Sequence, residues 1–310
     1  MIADLFTAQV LIGVLASGIR LATPYLYASI GETLGQRSGV LNLGIDGQML
    51  LGAFAGFYVV FNTGNLVLGV AAAMLVGALM GLAMAFVSVT LQAEQGISGI
   101  GFYLFGLGLS DLLFQVTLGS VETVSGFRPI HIPVLSDLPV LGPVLFSQNL
   151  MVYFAYLLVP LAWFVLNKTN FGLMIRSVGE NPEAADSLGV SVSKVRYLTV
   201  TLGGAFSGLA GASLSIALLN VFQQNLTNGL GFIAVALVYF GGWRPFGVLV
   251  GSLIFSMVNA LQLWVQTLNI PIPSDIAVMM PYVLTILALV VAVQRVRPPA
   301  ALTKPFERGD

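Results

Sequence analysis

The segment GETLGQRSGVLNLGIDGQMLLGA, residues 31–53, brings Glu32, Arg37, Asn42, Asp46 and Gln48 close together between two apolar runs. Only 8% of the chain is charged, so this is a local concentration of polar chemistry, and six of the 35 glycines fall within it. Two kinds of chemistry suit these residues. Arg37 can pair with Glu32 or Asp46 as a structural clamp, because a lone charge inside hydrocarbon is costly. Asn42, Asp46 and Gln48 can offer donors and acceptors to a polar solute. A second set, Asn259, Gln262 and Gln266, is spaced i, i+3 and i+7 and shares one helix face. Amides on that face suit a polar solute, and they suit hydrogen bonds to neighbouring helices as well. Asp111, with Gln115 one turn on, is the titratable candidate for ion or proton coupling, and Phe222 and Tyr239 have flat faces that could stack on a planar solute or pack.

None of these sets combines a nucleophile, a base and an orienting partner, so no covalent catalysis is expected. Cysteine is absent and His131 is the single histidine, which leaves no basis for a metal centre and reads His131 as a polar loop residue. No glycine loop ending in Gly-Lys-Ser/Thr occurs, so the chain itself is not expected to bind ATP in that manner. The net charge of −1 argues against a nucleic-acid partner.

The elements that position these residues follow from composition. Of 310 residues, 57% are hydrophobic and the mean hydropathy is +0.95. A soluble domain carries about a quarter charged residues, and several apolar runs here reach the roughly 20 residues that cross a bilayer. The fold class is therefore an all-α, polytopic transmembrane helix bundle forming one domain over 1–310. The roughly ten-residue alternating strands of a β-barrel are not seen. Apolar segments fall at 8–30, 44–61, 66–90, 98–118, 149–167, 197–219, 229–242, 247–268 and 276–294, giving about nine crossings. Segment 229–242 would be only about 21 Å long as a helix, against a core of about 30 Å. It is either extended by the preceding NVFQQNLTN or is a half-helix buried in the bundle.

Glycines let backbone bend, and irregular backbone survives in a membrane only where protein or water satisfies it. Residues 31–47 are thus expected to form a turn at the cytoplasmic side that leads into a broken helix near the pathway. Small residues recur every four positions in three ridges: Gly69, Ala73, Gly77, Gly81 and Ala85; Gly204, Gly208 and Ala212; Gly203, Ser207, Gly211 and Ser215. Such ridges allow close helix packing. With nine crossings, Arg37, Lys168, Arg176, Lys194, Arg196, Arg244, Arg295, Arg297, Lys304 and Arg308 share one side, and Arg128 lies on the other. The positive-inside rule then places the C-terminus in the cytoplasm and the N-terminus outside. The start, MIADLFTAQV, lacks a basic n-region, so no cleaved signal peptide is expected.

The loop 168–196 is the most informative soluble stretch. Asn181 is a good N-cap, Pro182 suits the first helical position, Glu183 and Asp186 favour the dipole's positive end, and Gly189 is a good stop. These predict a short helix over 182–188. It is too short to stand alone, so the bundle or a partner's groove must hold it.

Glu183-Ala184-Ala185 with Gly189 resembles the EAA loop of ATP-binding-cassette importer permeases. RSGVLNLGIDGQMLLGA (37–53) and GFIAVALVYFGGWRPFG (231–247) are similar to segments of the permease superfamily serving branched-chain amino acids, ribose-like sugars and nucleosides. The arrangement of Arg, Asn-Leu-Gly and an acid is nearest the nucleoside and simple-sugar branch, with Asp46 where Glu is common and Gln48 where Met is common. The resemblance implies a multi-pass permease subunit in the cytoplasmic membrane, in contact with lipid. It also implies separate cytoplasmic ATPase subunits carrying ATP and Mg, a second permease chain (alike or different), an extracytoplasmic substrate-binding protein, and a nucleoside or sugar substrate. Asn181, Pro182, Glu183, Ala184, Ala185, Asp186 and Gly189 would then couple to the ATPase. The rival reading is an ion-coupled secondary transporter working through Asp111.

Overall fold

In the computed structural model, residues 7–267 and 297–307 are described, with isolated positions between 279 and 290. Among the described residues there is no β-strand, only the isolated bridges Thr123–Val221 and Pro129–Asn149. The helices are α1 (Ala8–Arg37), α2 (Ile45–Thr63), α3 (Leu66–Ala85), α4 (Gln95–Thr117), α5 (Leu150–Lys168), α6 (Asn170–Glu180), α7 (Pro182–Ser187), α8 (Val192–Ser213), α9 (Leu230–Phe240) and α10 (Pro245–Thr267). Helices α3 and α8 each run on through a π-turn, Phe86–Thr90 and Leu214–Leu218.

Six of these helices are long and apolar enough to cross a membrane: α1, α3, α4, α5, α8 and α10, with α3 and α8 counted through their π-turns. Helix α2 carries Asp46 and Gln48 in its first turn and is not among the six, and α9 has 11 residues. The expected ninth segment, 276–294, lies largely outside the described residues.

Helix α1 is the central element. From Ala22 to Gln36 every residue is buried, because α5, α8, α9 and α10 surround its second half. The small-residue ridges close the packing around it. A Cβ on Gly77 would lie 2.2 Å from the carbonyl oxygen of Gly204, and one on Gly208 would lie 2.1 Å from that of Ala73, so α3 and α8 meet backbone to backbone. A Cβ on Gly211 would lie 1.9 Å from the Met49 carbonyl of α2. At such approach dispersion and close packing hold the helices together without hydrophobic drive from lipid. The outer faces of α3, α4 and α5 carry exposed Leu75, Leu79, Ile97, Leu104, Val116, Leu157 and Leu161, as a lipid-facing surface requires.

The bundle has two chemically different ends. At one, Arg37, Arg176, Arg196, Arg244 and Lys304 cluster around the ends of α1, α6 and α9 and the C-terminal residues 301–304. At the other, residues 119–148 carry Arg128 and an exposed His131–Asp137 pair, Nε2 to Oδ1 3.6 Å, and bond to the end of α8 through Phe127 N–H to the Ile216 carbonyl.

Candidate functional site

The polar residues of 31–53 assemble into one buried junction. After Ser38 the chain turns back along α1: Val40 N–H donates to the Gly35 carbonyl at 3.1 Å, and Asn42 N–H to Glu32 Oε1 at 3.0 Å. Helix α2 therefore starts inside the bundle rather than at its end; the turn expected over 31–47 is confined to 38–44, because 31–37 continue α1 and 45–47 already belong to α2. Glu32 Oε1 also accepts from Gln36 Nε2 (2.8 Å), Asn42 Nδ2 donates to Gln48 Oε1 (3.2 Å), and Gly44 N–H donates to Asn42 Oδ1 (2.9 Å). Glu32, Gln36, Asn42, Asp46 and Gln48 are all buried. The Nε2 of Gln48 is an unpartnered donor among the described residues.

Asp46 binds a second irregular segment into this junction. Gly231 N–H donates to its Oδ1 at 2.8 Å and Thr227 Oγ1 to its Oδ2 at 2.9 Å. The contact is close: a Cβ on Gly231 would lie 2.4 Å from the Asp46 nitrogen. Helix α9 therefore begins where α2 begins, at Asp46. It then follows α1, with Ser29 Oγ donating to the Ala234 carbonyl (3.0 Å) and Trp243 Nε1 to Gln36 Oε1 (2.7 Å). Residues 219–229 do not extend α9 as a helix, since Asn220, Asn225, Asn228 and Gly229 have positive φ. The half-helix alternative is the one formed.

One sequence expectation is corrected. Arg37 does not clamp Glu32 or Asp46. Its Nε donates to the Trp243 carbonyl at 3.0 Å, while both acids are engaged by neutral donors deeper in the bundle. Glu32 and Arg37, five residues apart on α1, face about 140° apart round the helix, and Asp46 is turned towards Thr227 and Gly231.

The short helix forms as expected, one residue shorter than 182–188. Asn181 Oδ1 accepts from Ala184 N–H at 3.0 Å, and Pro182 occupies the first turn. At its end Gly189 has φ +85°, Gly189 N–H donates to the Asp186 carbonyl (2.8 Å) and Val190 N–H to the Ala185 carbonyl (3.0 Å). Those two bonds form a Schellman cap. Ala185 is the anchoring residue: it is buried with Ile175, Val178, Val192 and Val195. Glu183, Ala184, Ser187, Leu188 and Gly189 face outward, with Leu188 84% exposed. The helix is thus ordered by its caps and by Ala185 and leaves an apolar tip in the open.

Residues 14–289 match the family described as the permease component of the branched-chain amino acid transport system. The chain belongs to this permease family. Among its relatives, the guanosine ABC transporter permease protein NupQ of Bacillus subtilis is 36% identical over 97% of this chain and 98% of its own length. The nucleoside ABC transporter permease protein NupC of Lactococcus lactis is 36% identical over 89% and 90%. A Haloferax volcanii permease protein provisionally assigned to glucose is 40% identical over 83% and 79%. No solved structure matches. The chain is thus a multi-pass membrane protein of the permease kind.

The remaining candidates of the permease are dispersed. On α10, Gln262 is buried and Asn259 half-buried, whereas Gln266 is exposed. The amide stripe therefore does not face the interior along its whole length. Asp111 is half-buried on α4, with Gln115 exposed. Phe222 is fully buried in an aromatic group with Phe54 and Phe114, at 5.4 and 5.7 Å between ring centres, which makes it core. Tyr239 packs on Trp243 at 4.8 Å.

Sequence reading missed Gln36, Trp243, Thr227 and Arg196 as parts of the architecture. Arg196, counted only as a loop charge, is 2% exposed. Its Nε donates to the Ser38 carbonyl (3.1 Å) and its Nη1 to the Lys304 carbonyl (3.0 Å), tying α8, the fold-back and the C-terminal residues together. The four-residue step from Glu32 to Gln36 was the signal for that pair; no local signal marks the others, whose partners lie over 100 residues away.

Proposed function

We propose that this permease translocates nucleosides across the cytoplasmic membrane as one half of an ATP-driven importer. The observation that carries the reading is the end-to-end match to the Bacillus guanosine permease protein, over 97% of one chain and 98% of the other. Separate ATPase subunits supply the energy, a second permease chain completes the pathway, and an extracytoplasmic binding protein delivers the solute. The basic end is cytoplasmic, as its arginines and lysines favour, and the C-terminus lies there.

The mechanism is a population shift between two packings, driven by ATP binding better to one of them. Helix α7 carries the motion of the ATPase into the bundle through Ala185, beside α6 and α8. The solute meets polar groups near the meeting point of α2 and α9, where Asn42 sits on irregular backbone and Asp46 and Gln48 on the first turn of α2, and on the inward part of the α10 stripe at Asn259 and Gln262, while Gln266 is exposed. Amide donors and acceptors suit ribose hydroxyls and base edges. A simple sugar is the second reading, favoured by the 40% identity to the Haloferax relative; its hydroxyls ask for the same amides.

Uptake of labelled guanosine, ribose, glucose and leucine by the assembled importer in a deletion strain is the test. Guanosine uptake that stops on ATP depletion and in Glu183→Lys is the expected result. Uptake of glucose alone supports the second reading. Uptake that survives ATP depletion and stops when the ion gradient collapses overturns both in favour of an ion-coupled carrier.

A further inference from the structure

A cavity of about 740 Å3 opens at the basic end, between α5, α6 and the α9–α10 turn. It is separate from the Asp46 junction and from α7. Arg37, Arg176 and Arg244 all line it, and no carboxylate among the described residues does. The carboxylate within electrostatic reach of Arg37 is Glu180, set against the repulsion of Arg176 and Arg244. Three guanidiniums gathered around one cavity repel each other and are unfavourable without an anion.

Two of the arginines are also held in place. The Arg37 Nε is committed to the Trp243 carbonyl at 3.0 Å and the Arg176 Nε to the Gly172 carbonyl at 3.4 Å. That leaves their terminal nitrogens for a ligand. A guanidinium matches the oxygens of a phosphate bidentately.

The cavity wall changes character toward its mouth. Trp163, Phe246 and Val250 line it too, and they are 38%, 48% and 53% exposed. The two rings lie 6.2 Å apart, and the Lys168 ammonium is 5.9 Å from the Trp163 ring centre. Tryptophan beside lysine at the end of a spanning helix is the composition of the headgroup layer. An inorganic phosphate would satisfy the arginines and leave this apolar mouth unused. A lipid phosphodiester with its acyl chains running along α5 and α10 uses both. Basic pockets between spanning helices at a membrane surface are suited to such headgroups, and the volume lies within the 300–1,000 Å3 usual for small-ligand sites.

We propose that Arg37, Arg176 and Arg244, together with Trp163 and Phe246, form a binding site for the phosphate headgroup of an anionic membrane lipid. This does not depend on which solute is transported. The site lies at the end of α9, the half-helix that starts at Asp46, so lipid bound there holds α5, α6 and the α9–α10 turn together.

The test uses the full-length permease purified with its partner subunits and reconstituted in discs containing dioleoylphosphatidylglycerol and dioleoylphosphatidylcholine. Bound lipid is counted by native mass spectrometry. Retention of phosphatidylglycerol over phosphatidylcholine is expected, and it drops about fivefold in Arg176→Gln and about fivefold in Arg244→Gln. That factor corresponds to about 1 kcal/mol for each basic residue near an anionic surface. Arg128→Gln, at the opposite end, leaves retention unchanged. Equal retention of the two lipids, or full retention in both cavity variants, overturns the proposal. So does displacement of the lipid by millimolar inorganic phosphate, which marks a small-anion site. Loss of the ATPase subunits from the variants with lipid occupancy intact also overturns it, because the arginines then serve an acidic protein surface.

Discussion

The joint between α2 and α9 rests on one carboxylate, and removing it has a calculable consequence. Asp46→Ala deletes the acceptors of Gly231 N–H and Thr227 Oγ1, bonds of 2.8 and 2.9 Å. Both donors are in a region closed to water, and Thr227 is itself fully buried. An unsatisfied buried donor costs about 1–3 kcal/mol in a soluble core. Hydrogen bonds within bilayers average about 0.6 kcal/mol, with a maximum near 1.7, since the unfolded segment also finds partners. The lower scale applies here, and two bonds give about 1–3 kcal/mol for Asp46→Ala and about 1 kcal/mol for Thr227→Val. The double variant should lose less than the sum, because Thr227 has no acceptor left to lose. The coupling energy should be about 1 kcal/mol. Reversible unfolding of the purified permease in mixed micelles, followed by tryptophan fluorescence, measures all three. If the two single effects add within about 0.3–0.5 kcal/mol, the usual spread for independent sites, the carboxylate does not join these segments. Asp46→Glu sharpens the point. The acid is kept, but both its oxygens already lie 2.8 and 2.9 Å from their donors, so a further methylene must displace Gly231 or Thr227 and this variant should lose about 1–3 kcal/mol as an overpacked site does.

Three further outcomes follow from particular contacts. Gly204→Ala puts a methyl 2.3 Å from the Gly77 carbonyl and should lower the melting temperature of the purified permease by several degrees, while Gly101→Ala, with nothing within 4 Å, should leave it unchanged. Gly189→Ala should cost about 1–2 kcal/mol at the α7 cap, because φ is +85° there although no neighbour blocks the methyl; ATPase activity coupled to transport should fall with little change in melting temperature, and Gly189→Asn should restore most of it. The chain has no native cysteine and Ala301 is 3% exposed, so maleimide labelling of Ala301→Cys should be slow and should speed up at least tenfold when Arg196→Gln removes the bond to the Lys304 carbonyl.

The legibility of this chain divides by the range of the interaction. Helix α7 could be read in detail, because an Asn-Pro start, an early glutamate and a glycine stop are all local signals, and the observed caps use Asn181, Pro182 and Gly189. Helix limits were legible for the same reason: apolar runs at 98–118 and 149–167 became α4 over 95–117 and α5 over 150–168. The small-residue ridges were legible as close-packing surfaces, though not their partners. The ridge of Gly69, Gly77 and Gly81 meets α2 and α8, and Gly203 meets Gly31 of α1. The clamp was misread because charge complementarity was taken as sufficient. A bilayer penalises a charge that lacks any partner, and backbone carbonyls or amide side chains satisfy that demand as well as an opposite charge does. Arg37 has a carbonyl, Glu32 an amide and a backbone N–H, and Asp46 a hydroxyl and a backbone N–H.

The same contacts bear on how the bundle moves. Helices α2 and α9 both begin at Asp46, and the far end of α9 is held to α1 through Trp243, bonded by Gln36 and Arg37. A displacement of α1 relative to α2 must therefore either carry α9 with it or break the bonds at one of its ends. The two ends differ. At Asp46 the backbones touch with no space between them, whereas Trp243 is held through side chains beside an open cavity. The Trp243 end is the one that gives way at lower cost. Trp243→Phe, which deletes the 2.7 Å bond to Gln36 and keeps most of the ring, should raise the basal ATPase rate of the assembled importer in the absence of solute. An unchanged basal rate, with the melting temperature also unchanged, refutes a hinge at that end.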